Sequence, residues 1–434
     1  MKIGLEVHVA LPTRSKLFCA CSMKDSDKPN SNICPICMGF PGSKPMLNEA
    51  AVVSALDISN ALYCKINRKI SFVRKVYFYP DLPKCYQITQ MEDSIGKEGY
   101  LELENKNVRI RRVQIEEDPA QIIRQGMLTL LDFNRSGTPL VEIVTEPDIN
   151  TEEELREFIA NLRSILYYLG VDINKEMKAD LNISVGETRV EIKNVTGIKS
   201  LIEATRFEVE RQTEAIRNNE KIERETRGYN EKSRATESMR EKETDEEYGY
   251  IYESDLSTFD ISEFRPADPV YINKIAAELA GESEVNPKTI TEITMLNRSA
   301  LAMIYRFRKE YRIRSIIHGI QRFEKYSDSA MKEEDSDRIE KLVKLIDEGK
   351  DISREIAENI IAGKEVKIEY SDISMEGIAK MVRKFLDENP NILDEYKKNK
   401  KTVNLIIKEI SSKNNLHPKE VAAGADAVLK SIAE

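Results

Sequence analysis

Hydrophobic and polar residues alternate, or β-branched residues cluster, in several short runs within the first 265 residues. Because successive side chains of a strand point to opposite faces of a sheet, such runs predict β-strands. We predict strands at Ile3–Val9, Lys69–Tyr79, Val108–Ile115, Leu140–Val144, Leu181–Val185 and Arg189–Ile192. Two stripes of helical spacing interrupt them at Glu49–Leu62 and Thr151–Leu169, the second of which opens with a Thr-x-x-Glu capping signal. This mixture predicts the α+β class.

From Tyr271 onward the apolar positions recur mainly at three- and four-residue spacing, which is typical of packed helices. We predict helices over Thr289–Lys309, Asp335–Ile346, Ser353–Ile361, Met375–Leu386, Val403–Ser411 and Pro418–Ile432. One strand-like run remains at Glu365–Tyr370, and no sustained heptad indicates a coiled coil. Pro266-Ala-Asp-Pro269 ends the mixed region, so we place a boundary there. Just before it, Lys221–Glu247 holds nine acidic and seven basic residues, a balance that predicts a solvated helix-loop segment.

Length and charge narrow the class of protein. With 434 residues, 41% hydrophobic and 32% charged, the chain is globular and exceeds one ordinary single-core domain. No run approaches the ~18 apolar residues of a membrane span, and Glu6 and His8 interrupt the stretch that a secretion signal would need. We therefore expect a cytoplasmic protein without membrane association. The net charge of -9 argues against a protein that coats nucleic acid, but local basic patches stay compatible with it.

Four of the six cysteines fall within nineteen residues, as a Cys-x-Cys pair and a Cys-x-x-Cys pair. Two such pairs can present four thiolates to a tetrahedral Zn²⁺, and a site with four cysteines has no open position for catalysis. The sequence therefore predicts a structural zinc site formed by Cys19, Cys21, Cys34 and Cys37. Four reduced structural cysteines are the alternative, and disulfides are disfavoured in a reducing compartment.

Acidic residues lie in or beside the predicted strands. Glu6 and His8 share one strand face, Glu116-Glu117-Asp118 follows the strand Val108–Ile115, and Glu142 sits in an apolar run. A buried carboxylate needs a compensating cation, and oxygen ligands with at most one imidazole suit Mg²⁺ or Mn²⁺. The alternative is that Glu142 pairs with an arginine such as Arg111 or Arg135.

The segment from Lys75 to Tyr86 is aromatic, basic and punctuated by prolines, a composition suited to gripping phosphate, ribose or a base. A rigid loop whose tyrosines pack on the core is the alternative. Asp180 with Asn182, and Glu191 with Lys193, repeat the same-face polar geometry on two further strands. The chain contains no P-loop and no Gly-x-Gly-x-x-Gly turn, so a nucleotide site here belongs to another class.

Several longer motifs together resemble the B subunit of the tRNA-dependent amidotransferase GatCAB. They are Gly4-Leu-Glu-Val-His-Val, Asn32-Ile-Cys-Pro-Ile-Cys-Met-Gly-Phe-Pro-Gly42, Tyr77-Phe-Tyr-Pro-Asp-Leu-Pro-Lys84, Ile115-Glu-Glu-Asp118, the run Asp132–Asp148 and Glu191-Ile-Lys-Asn194. The similarity is specific over residues 1–255 and looser in the helical half. The resemblance implies a cradle-shaped catalytic domain related to glutamine synthetase at 1–268, a helical linker at 269–350 and a helical, tRNA-contacting tail at 351–434.

The implied reaction phosphorylates the side chain of misacylated Glu-tRNA(Gln) or Asp-tRNA(Asn) with ATP. Ammonia from a GatA-like glutaminase subunit then forms the amide, in a complex that also contains a GatC-like subunit. The resemblance implies Mg²⁺ ligation by Glu6, His8, Glu116, Glu117 and Glu142. It places Lys75 in catalysis, and the expected substrate or ATP contacts are Tyr77, Tyr79, Lys84, Tyr86, Arg135, Asp180, Asn182, Glu191 and Lys193.

Three departures from the family pattern touch this site. Cys85 replaces the small residue of the usual Pro-Lys-Gly-Tyr-Gln, Gln121 replaces a lysine, and Tyr248–Asp255 retains little of the usual Tyr-Arg-Tyr-Phe-Pro-Glu-Pro-Asp stretch. Two other functions remain open from the sequence: a non-catalytic, zinc-containing tRNA-binding scaffold and a stand-alone glutamine-synthetase-like ligase.

Overall fold

The chain forms two compact units, Met1–Tyr271 and Ile272–Glu434. The computed structural model describes residues 1–173, 177–241, 249–350, 352–366, 373–398, 402–414 and 416–433. The first unit combines strands and helices, and the described part of the second is helical. The α+β prediction is thereby confirmed. The relation to glutamine synthetase and the division of the helical half at residue 350 stay predictions.

The described residues of the first unit form three helices and a series of mostly short strands. The helices are α1 (Glu49–Ala61), α2 (Glu152–Tyr168) and α3 (Ile198–Arg217). The strands are β1 (Lys2–Ala10), β2 (Lys65–Ile66), β3 (Lys69–Ile70), β4 (Val73–Val76), β5 (Tyr86–Thr89), β6 (Gly96–Glu102), β7 (Asn107–Glu117), β8 (Gln121–Gln125), β9 (Leu128–Asp132), β10 (Pro139–Thr145), β11 (Lys178–Ser184), β12 (Val190–Thr196), β13 (Glu225–Asn230), β14 (Ala235–Glu241), β15 (Gly249–Tyr252) and β16 (Phe259–Asp260).

A nine-stranded sheet organises this unit, in the order β14-β13-β12-β11-β1-β10-β7-β6-β2. All neighbouring strands pair antiparallel except β12 and β13, which are parallel. The first strand of the chain is therefore central, with β10 on one side and β11 on the other. Smaller sheets are formed by β15-β4-β5, by β16-β3 and by the hairpin β8-β9.

The two faces of the large sheet differ in chemistry. Leu5 and Val7 of β1 belong to an apolar core that also contains Val52 of α1, Phe158 of α2 and Leu201 of α3. The three helices pack against this face of the sheet. Glu6 and His8 lie on the opposite face because side chains alternate along a strand. The helices therefore leave the polar face of the central strands for the site.

Most of the predicted elements of this unit are confirmed, including the cap of α2, where the Thr151 hydroxyl accepts a hydrogen bond from the Glu154 amide at 3.1 Å. The predicted strand Lys69–Tyr79 is instead two short strands, β3 and β4. The solvated helix-loop predicted for Lys221–Glu247 is wrong over Glu225–Glu241, which forms the antiparallel pair β13-β14; residues 242–248 lie outside the described residues. Two of its charged side chains, Glu225 and Arg227, make ion pairs with each other and with α3.

The second unit is a series of short helices. They are α4 (Ile272–Gly281), α5 (Pro287–Thr294), α6 (Arg298–Phe307), α7 (Ile313–Tyr326), α8 (Ser336–Asp347), α9 (Arg354–Ile361), α10 (Met375–Glu388), α11 (Pro390–Lys398), α12 (Val403–Asn414) and α13 (Pro418–Ala433), with a 3-10 turn at Glu333–Asp335. The single helix predicted at Thr289–Lys309 is two, because Asn297 starts a new helix by accepting a hydrogen bond from the Ala300 amide at 2.9 Å. Most of the strand-like run Glu365–Tyr370 lies outside the described residues.

Candidate functional site

One row of polar side chains crosses the middle of the sheet. His8 of β1 lies opposite Glu142 of β10, and Glu142 lies opposite Gln114 of β7. Two residues further along β7, Glu116 lies opposite Leu140. This register brings together residues that are more than a hundred positions apart in the chain.

His8, Glu116 and Glu142 form the first acidic group of the site, with candidate ligand atoms that all lie within 4.8 Å of one another. His8 Nε2 is 3.1 Å from Glu116 Oε1, and the Gln114 amide donates to Glu142 Oε2 at 2.7 Å. The side-chain oxygen of Gln114 is buried and has no hydrogen-bond partner in the described structure, so it can accept a bond from a hydrated cation. These oxygens and one imidazole fit a small divalent ion.

Within the first acidic group, the imidazole of His8 partly compensates the negative charge of the carboxylates. Burial opposes the charged form of His8, but its hydrogen bond to Glu116 and the surrounding carboxylates raise the pKa of His8 to about 10. Burial and the charge of Glu116 raise the pKa of Glu142 to about 7. Although burial favours its neutral form, the hydrogen bond from His8 lowers the pKa of Glu116. A divalent cation bound here would therefore replace protons.

Glu142 does have an arginine within ion-pair distance, but it is Arg112 and not Arg111 or Arg135. Arg111 pairs with Glu146 at 2.8 Å, and Arg135 pairs with Asp118. The nearest guanidinium to Glu142 is that of Arg112, at 3.9 Å, which is a weak contact. The sequence could not indicate this because the partner of each arginine depends on strand register.

Glu6, Asp180 and Glu191 form a second acidic group, with candidate ligand atoms also within 4.8 Å of one another. The Lys193 ammonium lies 3.1 Å from Asp180 Oδ2 and 3.2 Å from Glu191 Oε1. Despite burial, these two carboxylates raise the pKa of Lys193, which keeps it charged. Asn182 lies opposite Glu191 on the neighbouring strand. The structure thus divides the predicted ligands into two groups on one sheet face.

Glu117 belongs to neither group among the described residues, because its side chain accepts bonds from the Lys84 ammonium and, at 2.9 Å, from the Ile88 amide. A shallow pocket beside it is lined by Leu82, Pro83, Lys84, Tyr86, Gln87, Glu117, Asp118, Pro119 and Ser136. Asp118 in turn pairs with Arg135, although burial raises its pKa. Lys84, Tyr86 and Arg135 therefore lie around this pocket rather than on the central row.

The remaining predicted contacts come from the strand β4 and the loop after it. The Lys75 ammonium lies 5.9 Å from the centre of the Tyr77 ring, and its charge acts on Glu116. Tyr86 is half-buried and stacks under the Arg74 guanidinium at 4.7 Å, whereas Tyr79 is 47% exposed. Only part of the aromatic set thus packs on the core, and Tyr79 stays free to meet a ligand.

The four cysteines converge, with sulfur atoms within 4.8 Å of one another. A hydrogen bond from Cys19 lowers the pKa of Cys37 to about 5, although burial opposes this. The Cys34 amide and the charge of Lys16 lower it further. Burial and a bond to Cys34 raise the pKa of Cys21 to about 11. Four cysteine sulfur atoms at this spacing could hold a metal ion.

Two residues of the site, Gln114 and Lys16, cannot be recognised as site residues from sequence patterns. Gln114 is a polar residue inside a buried strand, and its role depends on its register with Glu142. Lys16 is 1% exposed, and its ammonium lies 3.8 Å from the Cys37 sulfur. A lysine in a loop is ordinarily read as a surface residue, so sequence patterns do not reveal it.

Comparison with known proteins bears on this geometry. Residues 1–265 match the family model described as the GatB/GatE catalytic domain, which covers the whole sheet and the cysteine cluster. This match defines the first unit as a catalytic domain of the amidotransferase class.

Relatives extend the match to most of the chain. The B subunit of an aspartyl/glutamyl-tRNA(Asn/Gln) amidotransferase from Sulfurisphaera tokodaii is 37% identical over 95% of both chains, and that from Clostridium tetani is 35% identical over 95% of both. The corresponding protein from Saccharolobus solfataricus is 44% identical over 70% of this chain and 69% of the relative. This chain therefore belongs to the GatB/GatE family of amidotransferase B subunits, as the motifs predict. No helix in the described ranges is both long and apolar enough to span a bilayer.

Proposed function

We propose that this chain catalyses the ATP-dependent amidation of misacylated Glu-tRNA(Gln), Asp-tRNA(Asn) or both. The γ-phosphate of ATP passes to the side-chain carboxylate of the aminoacyl group, leaving ADP and an acyl phosphate. Ammonia then attacks the acyl carbon, and inorganic phosphate leaves as the amide forms. The observation that carries this proposal is the pair of acidic groups on the polar face of a sheet in a GatB/GatE catalytic domain.

His8, Glu116 and Glu142 would hold Mg²⁺ at the first acidic group, with Glu6, Asp180 and Glu191 as a second set of oxygen donors. Bound there, Mg²⁺ supplies positive charge that neutralises phosphate oxygens as the phosphoryl group transfers. Glu117 is assigned to holding Lys84 instead of the metal. Lys193 already carries positive charge between Asp180 and Glu191, so it can attract phosphate or carboxylate oxygens.

The pocket beside the acidic groups is suited to orienting the substrates. Lys84 and Arg135 offer cationic donors to phosphate or to the aminoacyl carboxylate, and Lys75 brings a further charge close to Glu116. The exposed ring of Tyr79, with Tyr77 beside it in the same loop, can stack on a base or ribose, whereas Arg74 and Lys84 lie over the ring of Tyr86. The four cysteines would hold Zn²⁺ as a structural ion.

The helical unit offers a surface for tRNA. Between Arg298 and Tyr326 the chain carries eight basic and two acidic residues, although its net charge is -9. Arg314, His318 and Lys325 are exposed on one face of α7, since positions i, i+4 and i+11 coincide on a helix. Arg314 and Lys325 have no carboxylate within ion-pair distance among the described residues, so both can meet phosphates.

The proposal also needs two partner subunits, a GatA-like glutaminase and a GatC-like small subunit. The test is amidation by the reconstituted complex, supplied with misacylated tRNA, ATP, Mg²⁺ and glutamine. His8→Ala and Glu142→Gln should each lower the rate of amide formation by about 100-fold or more, since metal ligands and their supports typically contribute at least that much. Glu187→Ala, which removes an exposed carboxylate of the same unit, should leave the rate unchanged.

Full activity of both site variants would overturn the assignment of the site. A wild-type complex that binds tRNA but neither hydrolyses ATP nor forms amide would support the scaffold function instead. Amidation of free glutamate or aspartate without tRNA would favour the stand-alone ligase.

A further inference from the structure

The loop between the two cysteine pairs is hydrogen-bonded to the segment that follows β9. The Asn30 side chain donates to the Leu131 carbonyl at 3.0 Å and accepts from the Phe133 amide at 2.7 Å. Two residues on, the Asn32 amide donates to Asn134 Oδ1 at 2.7 Å. The cysteine loop thus holds residues 131–134 in place through contacts between residues about a hundred positions apart.

Lys16 makes the second connection. Its ammonium donates to the Asn32 carbonyl at 3.0 Å and to the Phe133 carbonyl at 3.3 Å, and it lies 3.8 Å from the Cys37 sulfur. The Phe133 carbonyl also accepts from the Ser136 amide at 3.0 Å, so Lys16 binds the turn that leads to Ser136. Burying a lysine this fully is costly unless its donors are satisfied, which indicates a specific role.

The segment held in this way contributes Ser136 to the shallow pocket that is proposed to take the substrates. Ser136 lines the pocket with Lys84 and Glu117, and Arg135 pairs with Asp118. The cysteine motif also touches Lys84 directly, because a Cβ added to Gly39 would come within 2.4 Å of Lys84 Cγ. Gly39 has a φ of +65°, which further favours glycine there.

We propose that Lys16 and Asn30 are positioning residues, through which the cysteine cluster fixes the 133–138 wall of the catalytic pocket. This inference rests on the proposed function only in taking the pocket as the substrate site. The cysteine cluster then stabilises its own loop and also sets the geometry of the pocket, although none of its cysteines lines that pocket.

Asn30→Gly tests the first connection. Asn30 has a φ of 57°, which glycine accepts readily, so the substitution removes two side-chain bonds and spares the backbone conformation. Asn219→Gly is the matched control, because Asn219 has a φ of 56° and is exposed at the end of α3. Lys16→Met tests the second connection, with Lys24→Met on the exposed part of the same loop as its control.

The measurement is amide hydrogen exchange of the full chain at Phe133, Ser136, Gly137 and Thr138, alongside metal content. We expect Asn30→Gly and Lys16→Met to speed exchange at these amides about tenfold, the effect of losing one or two hydrogen bonds. Both controls should match the wild type. In Asn30→Gly the bound metal should be retained, and Asn30→Asp, which keeps the acceptor for Phe133, should restore protection.

The kinetic counterpart in the reconstituted complex is a rise in KM for ATP or aminoacyl-tRNA that Asn219→Gly does not show. Unchanged exchange at the four amides in both test variants would overturn the inference, and so would removal of the cysteine-bound metal by a chelator without any effect there. A wild-type complex without ATP-dependent amidation would overturn the proposed function, while the exchange data would still decide this inference.

Discussion

Cys85 lies between two residues of the candidate pocket and adopts a backbone conformation that suits glycine. Its φ is 60°, in the left-handed region, and its side chain is exposed. A residue with a Cβ pays about 1–2 kcal/mol for that conformation. The departure from the family pattern noted at this position therefore stores strain beside Lys84 and Tyr86.

Cys85→Gly should raise the free energy of unfolding by roughly 0.5–1 kcal/mol, because relief of the strain exceeds the extra chain entropy of glycine in the unfolded state. Chemical denaturation of the full chain measures this. Cys85→Ala keeps the Cβ and removes only the sulfur, so it should give no gain. Equal stabilisation by alanine would show that the thiol, not the backbone, is the cause.

The sequence was sufficient to predict several single residues of the candidate site, but not how they are grouped. Glu6, His8, Glu116 and Glu142 could be singled out because each breaks a strand pattern or belongs to a motif. Their division between two acidic groups could not, since it depends on the register that puts His8 opposite Glu142 and Glu6 opposite Asp180. Lys16 shows the same limit, because its burial follows from long-range packing alone.

At the scale of elements, the β13-β14 pair is held to α3 by a buried charge network. Glu208 of α3 has no exposed surface and accepts bonds from Arg211 at 2.6 Å, from Gln212 at 2.9 Å and from Thr236 at 2.9 Å. Arg227 of β13 lies 3.5 Å from the same carboxylate. A segment whose charges appeared balanced for solvation is thus a packed sheet edge, because those charges pair across elements.

Glu208→Ala should lower the free energy of unfolding by about 1.5–3 kcal/mol, since it removes the buried hydrogen bonds to Arg211 while Glu225 stays paired with both arginines. Thermal or denaturant unfolding of the full chain is the measurement. Glu210→Ala, an exposed change on the same helix, should shift stability by no more than about 0.5 kcal/mol. A similar small shift for Glu208→Ala would contradict the network.

The segment after β10 is fastened to β7 by a second pair. Arg109 donates to Asp148 through its side chain at 2.7 and 2.8 Å and through its amide at 3.0 Å. These bonds lower the pKa of Asp148 below its ordinary value of 3.8 despite partial burial. A carboxyl whose folded pKa is depressed stabilises the fold above the unfolded value and loses that contribution as pH falls through the folded one.

Asp148→Asn should therefore destabilise the protein by a constant amount above about pH 4.5 and by progressively less below about pH 4. The free energy of unfolding, measured from pH 7 down to pH 3, tests this. Asp268→Asn, at an exposed residue without an ion pair in the described structure, should run parallel to the wild type at every pH. A gap between Asp148→Asn and the wild type that stays constant to pH 3 would be the contrary result.

At the scale of the whole molecule, charge is distributed unevenly between the two units. The acidic groups lie on the catalytic sheet, and a basic stretch with eight cations against two anions lies in α6, α7 and the turn between them. A net charge of -9 is thus compatible with the proposed binding of tRNA, because the phosphates would meet this basic stretch and not the average surface. The net charge of the whole chain argues against a protein that coats nucleic acid, but it could not locate this basic stretch.

Arg314→Glu with Lys325→Glu should weaken tRNA binding by the full chain and lower the slope of log affinity against log salt by about two, one for each lost phosphate contact. Fluorescence anisotropy with tRNA(Gln) and tRNA(Asn) transcripts across a salt series measures both quantities. Lys199→Glu with Lys221→Glu makes the same change in net charge at exposed positions of the first unit. Equal slopes for the two double variants would remove α7 from the tRNA surface.

The acidic face of the sheet already contains its own cations. The His8 imidazole lies 3.1 Å from Glu116, and the Lys193 ammonium lies 3.1 Å from Asp180 and 3.2 Å from Glu191. These basic groups reduce the repulsion between the carboxylates without cancelling it, since the charge of Glu116 still helps to raise the pKa of Glu142. A divalent ion that binds here as proposed would therefore displace protons and ammonium contacts. Under that proposal, the affinity of the acidic groups for the ion would be set by the difference between two occupied states, one holding protons and ammonium contacts and the other holding the metal.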